Sequence, residues 1–177
     1  MALYVLASTF TGAAAGAARS ALGALIPADG RAAAGSLLAI AGVVLGLAGL
    51  LGRALRPALQ CDRETPQRWV HEGRVQWAVK NGAALGFGAG TRLGFVLWYA
   101  VPAGALLIGN PAAGAAVYGA YGLARAGGAG AIWLAARRSG DFDPLLDWLG
   151  RRQERARTVT TAYLFASSAI ILGLVGL

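Results

Sequence analysis

The sequence predicts an all-α fold: a polytopic bundle of about five transmembrane helices, forming one integral membrane domain over residues 1–177. Three observations predict this class. Apolar residues make up 56% of the chain and charged residues only 14%, and the mean hydropathy is +0.55. Apolar stretches of roughly 18 to 27 residues recur, each long enough to cross a hydrocarbon core of about 30 Å. Basic residues are concentrated in two segments between these stretches.

The positive charge predicts the orientation of the bundle. Most of the 16 basic residues lie between the second and third stretches or between the fourth and fifth. The two groups are Arg53, Arg56, Arg63, Arg68, Arg74 and Lys80, and Arg137, Arg138, Arg151, Arg152, Arg155 and Arg157. By the positive-inside rule, the N-terminus and both basic loops are cytoplasmic and the C-terminus is outside, in a bacterial-type inner membrane. The net charge of +8 then reflects topology, and no nucleic-acid partner is expected.

The first stretch, residues 2–26, has two interpretations. It is either a retained helix or a signal peptide cleaved near Ala15. No Lys or Arg precedes its apolar part, which favours retention because signal peptides usually begin with a basic region. Cleavage would leave four spans, with the same two basic loops inside.

The second stretch, residues 32–55, carries a pattern for close helix packing. Gly42 and Gly46 form a GxxxG step, and Gly49 falls on nearly the same helical face. Lipid tails are as apolar as leucine, so helices in a bilayer associate mainly through close contact between small residues. The pattern predicts a tightly packed partner helix on this face.

Two short cytoplasmic helices are predicted to lie on the inner leaflet. The first begins at Thr65 and Pro66, a good N-cap and N1 pair, and the second begins at the similar pair Asp143 and Pro144. Tryptophans on both suit the headgroup layer. The predicted interfacial residues are Trp69, Trp77 and Trp148.

The other three spans are predicted over residues 81–108, 112–136 and 159–177. Glycines cluster from Gly86 to Gly90, which predicts a kink or a break inside the third span. The fourth span ends at Arg137 and Arg138, which would anchor it at the inner surface. The fifth span carries no charge.

Three arginines interrupt the apolar stretches and form the candidate binding site. They are Arg19, Arg92 and Arg125. An arginine at the bilayer centre costs about 2.5 kcal/mol or more, so such residues usually face the protein interior. Every acidic residue falls in a predicted loop, which leaves no carboxylate in the spans to neutralise them.

Arg92 and Arg125 are predicted to lie at similar depth, roughly 15 to 17 Å from the inner boundary. Two guanidiniums at one level, with the Thr91 hydroxyl nearby, predict a site for an anionic or zwitterionic solute. Arg19 would lie nearer the outside and line an entry path. The structural alternative is that backbone carbonyls satisfy these arginines, that they snorkel, or that they mark helix ends.

The motifs of common enzymes are missing from the sequence. It contains no HExxH, P-loop or nucleophile elbow, and the single histidine, His71, has no ligand-spaced partner. We therefore expect no catalysis, no cofactor and no metal. The leading prediction is a small permease or exporter for an anionic small molecule, with the lipid bilayer and a homo-oligomer or partner membrane protein as partners. The alternatives are a non-catalytic subunit or assembly factor of a larger complex, and a lipid-headgroup binding protein.

Overall fold

The structure is a computed structural model that describes residues 1–51, 71–88, 100–140 and 143–175. Every regular element in these ranges is a helix, which confirms the all-α class. The helices are α1 (Ala2–Ala24), α2 (Ala28–Leu50), α3 (Arg74–Phe87), α4 (Ala100–Ile108), α5 (Pro111–Ser139) and α6 (Asp143–Val175).

Helix α1 is the centre of the bundle and contacts α3, α4 and α5. Along α1, Ser8 meets Gly122 and Gly16 meets Gly114, so α5 runs antiparallel to it. Gly82 lies beside Tyr4, and Gly86 lies beside Ser8, so α3 runs parallel to α1. Helices α1 and α3 therefore run in one direction and α5 in the other.

Small residues allow α1 to approach its neighbours at backbone contact. A Cβ at Gly12 would lie 2.6 Å from the carbonyl oxygen of Tyr118, which no side chain tolerates. Ser8 and Ser20 are fully buried in the same interface. The Ser8 hydroxyl donates to the Gly122 carbonyl over 2.9 Å, and the Ser20 hydroxyl donates to the Ala105 carbonyl of α4. These bonds connect helices that have little side-chain volume between them.

Helices α2 and α6 form a second, antiparallel pair. Gly42 faces Ser168, Gly46 faces Phe165 and Gly49 faces Thr161, so the predicted glycine face of α2 does pack against a helix. This pair meets the other helices mainly where α2 contacts α4, near Gly35 and Leu107. The described bundle thus has a unit centred on α1 and a two-helix unit beside it.

The side chains are distributed in the opposite way to those of a water-soluble bundle. The largest fully buried side chains are Tyr118, Ser8 and Ser20. Large apolar side chains point outward instead, with Phe10 71% exposed and Leu25 80% exposed. Soluble proteins bury residues of this kind and seldom expose large contiguous apolar areas.

In the part of the chain that the structure describes, α2 alone is long and apolar enough to cross a membrane by length and composition. It has 23 residues. Helices α1 and α5 carry Arg19 and Arg125 among alanine and glycine, and α6 joins its apolar part to a highly charged half. The bundle of about five spans stays a prediction.

The prediction of a separate second interfacial helix is wrong. Helix α6 begins at Asp143 as predicted, but it continues unbroken to Val175 through the predicted start of the last span. The intervening run of arginine, glutamine, glutamate and alanine consists of strong helix formers and contains no proline.

The first interfacial helix is only partly within the described residues. Thr65, Pro66 and Trp69 lie outside them. Trp77 was expected on that helix, but it belongs to α3, which starts after Gly73 with its positive φ of 103°. Arg74 to Lys80 are therefore part of α3, which continues without interruption into the predicted third span.

The other helix ends follow local sequence signals. The predicted break in the third span is confirmed, because α3 ends at Phe87 and Gly88 adopts a left-handed φ of 82°. The Asn110 side chain caps α5 by accepting from the backbone N–H groups of Ala112 and Ala113. Between α1 and α2, the Arg31 guanidinium donates to the carbonyls of Gly23 and Ile26, and the Gly23 carbonyl also accepts from the Ile26 backbone N–H.

Candidate functional site

The candidate site lies where α1, α3 and α5 meet. Five side chains from these helices form a continuous series of contacts. They are Arg19 of α1, Phe87 of α3, and Tyr118, Tyr121 and Arg125 of α5.

Arg19 is held inside the bundle by aromatic rings and its own backbone. Its guanidinium carbon lies 4.8 Å from the centre of the Tyr118 ring and 5.1 Å from that of Phe87. One N–H donates to the Ala15 carbonyl over 3.2 Å. The side chain thus runs back along α1, away from the nearby helix end, and does not snorkel towards it. No carboxylate of the described residues forms an ion pair with it.

Tyr118 forms the centre of the site. The residue is fully buried, its ring lies under Arg19, and its edge meets Tyr121 with ring centres 5.6 Å apart. Its hydroxyl has no hydrogen-bond partner in the described part of the chain. A buried hydroxyl in this state is uncommon and costs roughly 1 to 3 kcal/mol.

Arg125 reaches across from α5 to the end of α3. Its guanidinium donates to the Leu85 carbonyl over 3.3 Å and lies 5.6 Å from the centre of the Tyr121 ring. Leu85 is in the last turn of α3, where backbone carbonyls lack intrahelical partners and a positive charge complements the helix dipole. Arg125 therefore caps α3 as well as placing charge in the interface.

The structure brings two of the three predicted arginines together. Arg19 and Arg125 lie at opposite ends of the Tyr118 and Tyr121 pair. The Arg19 guanidinium lies at the level of Ala15 of α1. The Arg125 guanidinium binds the Leu85 carbonyl, and the next residue, Gly86, lies beside Ser8 of α1. At 1.5 Å per residue, the two guanidiniums are therefore on the order of 10 Å apart along α1. Arg92 and Thr91 lie outside the described residues.

Sequence reasoning missed the residues that shape this interface. Ser8, Gly12, Gly16 and Ser20 are spaced by four, so they form one small-residue face of α1. That spacing is the signal by which the interface could have been found. Tyr118 gave no comparable signal, because a tyrosine in an apolar stretch is as often lipid-facing as buried.

In the described part of the chain, three tryptophans each contact an aromatic ring or a guanidinium. Trp77 stacks on Tyr4, with ring centres 6.0 Å apart. The Arg152 guanidinium lies 4.3 Å from the Trp148 ring, and Arg137 makes the same type of contact with Trp133. Such pairs combine an apolar ring with a charge, as the membrane interface favours.

The site consists of hydrogen-bond donors and aromatic faces. Among the described residues, no cluster of His, Cys, Asp and Glu could hold a metal ion. Guanidiniums and hydroxyls of this kind can bind an anion, whereas general acid and base chemistry needs groups that titrate near neutrality. No family model, curated protein or solved structure matches the chain.

Proposed function

We propose that this chain is a multi-pass membrane protein, with lipid around the bundle, that acts as a small permease or exporter for an anionic or zwitterionic solute. The side-chain distribution supports the membrane setting. Leucine, isoleucine and phenylalanine cover the outside, and alanine, glycine and serine fill the inside. In lipid, exposing these apolar side chains costs no free energy, and the small residues permit close packing of the helices inside the bundle. The antiparallel course of α5 against α1 and α3 is compatible with several crossings, with the basic ends in the cytoplasm.

The observation that carries the solute proposal is the position of Arg19 and Arg125. Both guanidiniums are partly buried between helices and contact aromatic faces and backbone carbonyls. For Arg19, a backbone carbonyl offsets only part of the cost of the partly buried positive charge, and an anion would offset more. Two such charges spaced along the interface would give an anion successive positions of low energy.

Flux into proteoliposomes tests this proposal. Purified protein would be reconstituted and assayed with labelled acetate, phosphate and glycine, which cover anionic and zwitterionic solutes. We expect Arg125→Gln and Arg92→Gln each to reduce flux by at least about tenfold, because loss of a charged partner for the anion costs more than about 1.4 kcal/mol.

The matched control is Arg138→Gln, which removes an exposed arginine at the end of α5. It should leave flux at the level of the unmodified protein. Absence of flux for all three solutes in the unmodified protein, or equal flux in Arg125→Gln and Arg138→Gln, would contradict the permease proposal.

A second candidate function is a non-catalytic subunit or assembly factor. Residues 143–157 of α6 favour it, because all of them with a described exposure are exposed and Trp148 is 44% exposed. At 1.5 Å per residue, the 33-residue α6 is about 50 Å long, well beyond a hydrocarbon core of about 30 Å. Its polar half would project into the cytoplasm, where a partner could bind. Loss of a co-purifying partner on mutating Trp148, with no effect of Arg125→Gln, would favour this candidate.

A further inference from the structure

We propose that the Arg19 guanidinium and the Tyr118 hydroxyl together bind one oxyanion group of the ligand, a carboxylate or a phosphate. The inference rests on the proposed function and deepens it, because it adds Tyr118 as a ligand-binding residue and names the ligand's chemical group.

The Tyr118 hydroxyl is the first of two observations. It is buried and has no acceptor among the described residues, although the surrounding helices pack closely enough for Ser8 and Ser20 to reach backbone carbonyls. Nearly all buried polar groups in proteins have partners, so an exception needs a physical explanation. A ligand acceptor would supply the missing hydrogen bond and remove its cost.

Arg19 is the second observation. A guanidinium has five N–H donors, and in the described part of the chain Arg19 uses one of them, towards the Ala15 carbonyl. Its guanidinium carbon lies 4.8 Å from the centre of the Tyr118 ring, which carries the hydroxyl. The rings of Phe87 and Tyr118 occupy two sides of the guanidinium, which leaves N–H groups at its edge for a ligand.

The chemistry of this pair specifies the ligand group. Both residues offer donors, and an ionised carboxylate or phosphate offers only acceptors. Such charge-assisted hydrogen bonds are about twice as strong as neutral ones. A neutral amide or alcohol would satisfy the hydroxyl but leave the guanidinium charge without a counterion.

The position of Phe87 indicates the side from which the ligand approaches. Phe87 is 49% exposed and Arg19 is partly exposed, whereas Tyr118 is fully buried. The oxyanion would therefore meet Arg19 first, at the surface of the bundle beside the end of α3, and then the hydroxyl. This order fits a carboxylate or phosphate that enters beside the end of α3.

The test compares Tyr118→Phe with Tyr163→Phe. The first keeps the ring under Arg19 and removes only the hydroxyl, and the second removes the hydroxyl of a tyrosine that is 64% exposed on α6. Acetate and inorganic phosphate are the probes, with full-length protein in a non-ionic detergent. The readouts are the dissociation constant and the thermal unfolding temperature.

We expect Tyr118→Phe to weaken probe binding about tenfold, the effect of losing one charge-assisted hydrogen bond. Without probe, Tyr118→Phe should unfold at the same temperature as the unmodified protein or higher, because an unsatisfied buried hydroxyl has been removed. Tyr163→Phe should bind as the unmodified protein does. Arg19→Gln should weaken binding further than Tyr118→Phe.

Native mass spectrometry separates a free solute from a lipid headgroup. Retention of phosphatidylglycerol by the unmodified protein, and its loss from Tyr118→Phe, would support the pair with a lipid phosphate as its oxyanion. Unchanged binding of acetate, phosphate and phosphatidylglycerol by Tyr118→Phe would overturn the inference.

If flux depends on Arg125 while Tyr118→Phe binds normally, this inference fails and the proposed function stands. If Tyr118→Phe loses binding but no flux exists, the permease proposal fails and the oxyanion pair stands.

Discussion

At the scale of single residues, this protein satisfies its polar groups with backbone carbonyls. Arg31 donates to the end of α1, Arg125 to the end of α3, and the fully buried Ser8 and Ser20 donate to neighbouring helices. Carbonyls in a helix end or at a close contact accept these bonds without any acidic partner. This explains how a chain with few acidic residues in its apolar stretches holds arginines and serines inside.

The Ser8 hydrogen bond can be tested by substitution. Ser8→Ala removes the bond to the Gly122 carbonyl between α1 and α5 and should destabilise the protein by about 0.5 to 1.7 kcal/mol, the range for interhelical bonds in membranes. Ser36→Ala is the matched control, because Ser36 donates only to Ala32 of its own helix. Unfolding in denaturing detergent measures both. Equal stability of the two variants would contradict an interhelical role for Ser8.

At the scale of helices, small residues decide which faces pack. The faces of α1, α2 and α3 that meet other helices carry glycine, alanine and serine, and the opposite faces carry leucine and phenylalanine. Close backbone contact gains dispersion energy in lipid, where burial of leucine gains little. A glycine face therefore predicts a helix contact better than an apolar face does.

Gly16 and Gly127 provide a matched pair for this principle. Gly16→Ala would force a Cβ into the Gly114 backbone of α5 and into Tyr118, whereas a Cβ at Gly127 meets nothing within 4 Å. We expect Gly16→Ala to destabilise the protein by about 1 to 3 kcal/mol through overpacking. Gly127→Ala should be neutral or stabilising by up to about 1 kcal/mol, because alanine is the better helix former. Thermal unfolding of both variants checks this, and equal effects would be inconsistent with the α1 and α5 contact.

At the scale of the whole molecule, α1 organises the bundle. Helices α3, α4 and α5 all pack on it, while α2 and α6 pack mainly on each other. Cleavage near Ala15 would remove the part of α1 that contacts α3 and half of its contact with α5.

The proposed orientation predicts where cysteines can be labelled. Cys61, the single cysteine, lies in the segment assigned to the cytoplasm, and Asp29 lies in the first turn of α2, assigned to the outside. In intact cells, a membrane-impermeant maleimide should label Asp29→Cys in a Cys61→Ser background. It should label Cys61 of the unmodified protein only after permeabilisation. Labelling in the opposite order would show that the orientation is reversed.

Several elements could be predicted from the sequence because their signals are local. The helices over residues 2–24 and 111–139, the break at Gly88 and the glycine face of α2 all follow from composition, glycine conformation or spacing. The continuity of α6 was missed because a change from charged to apolar residues resembles a boundary between helices. Backbone hydrogen bonding does not depend on that change, so the helix continues.

The sequence alone determined that the chain is helical, that its apolar surface is too large for an ordinary soluble protein, and which arginines interrupt its apolar stretches. These properties depend on composition and on order along the chain. Only the tertiary structure decided that Arg19 meets Tyr118, that Arg125 reaches α3, and that α1 lies at the centre. Such contacts join residues up to about a hundred positions apart, because close packing of small faces brings them together, and no local pattern specifies which faces meet.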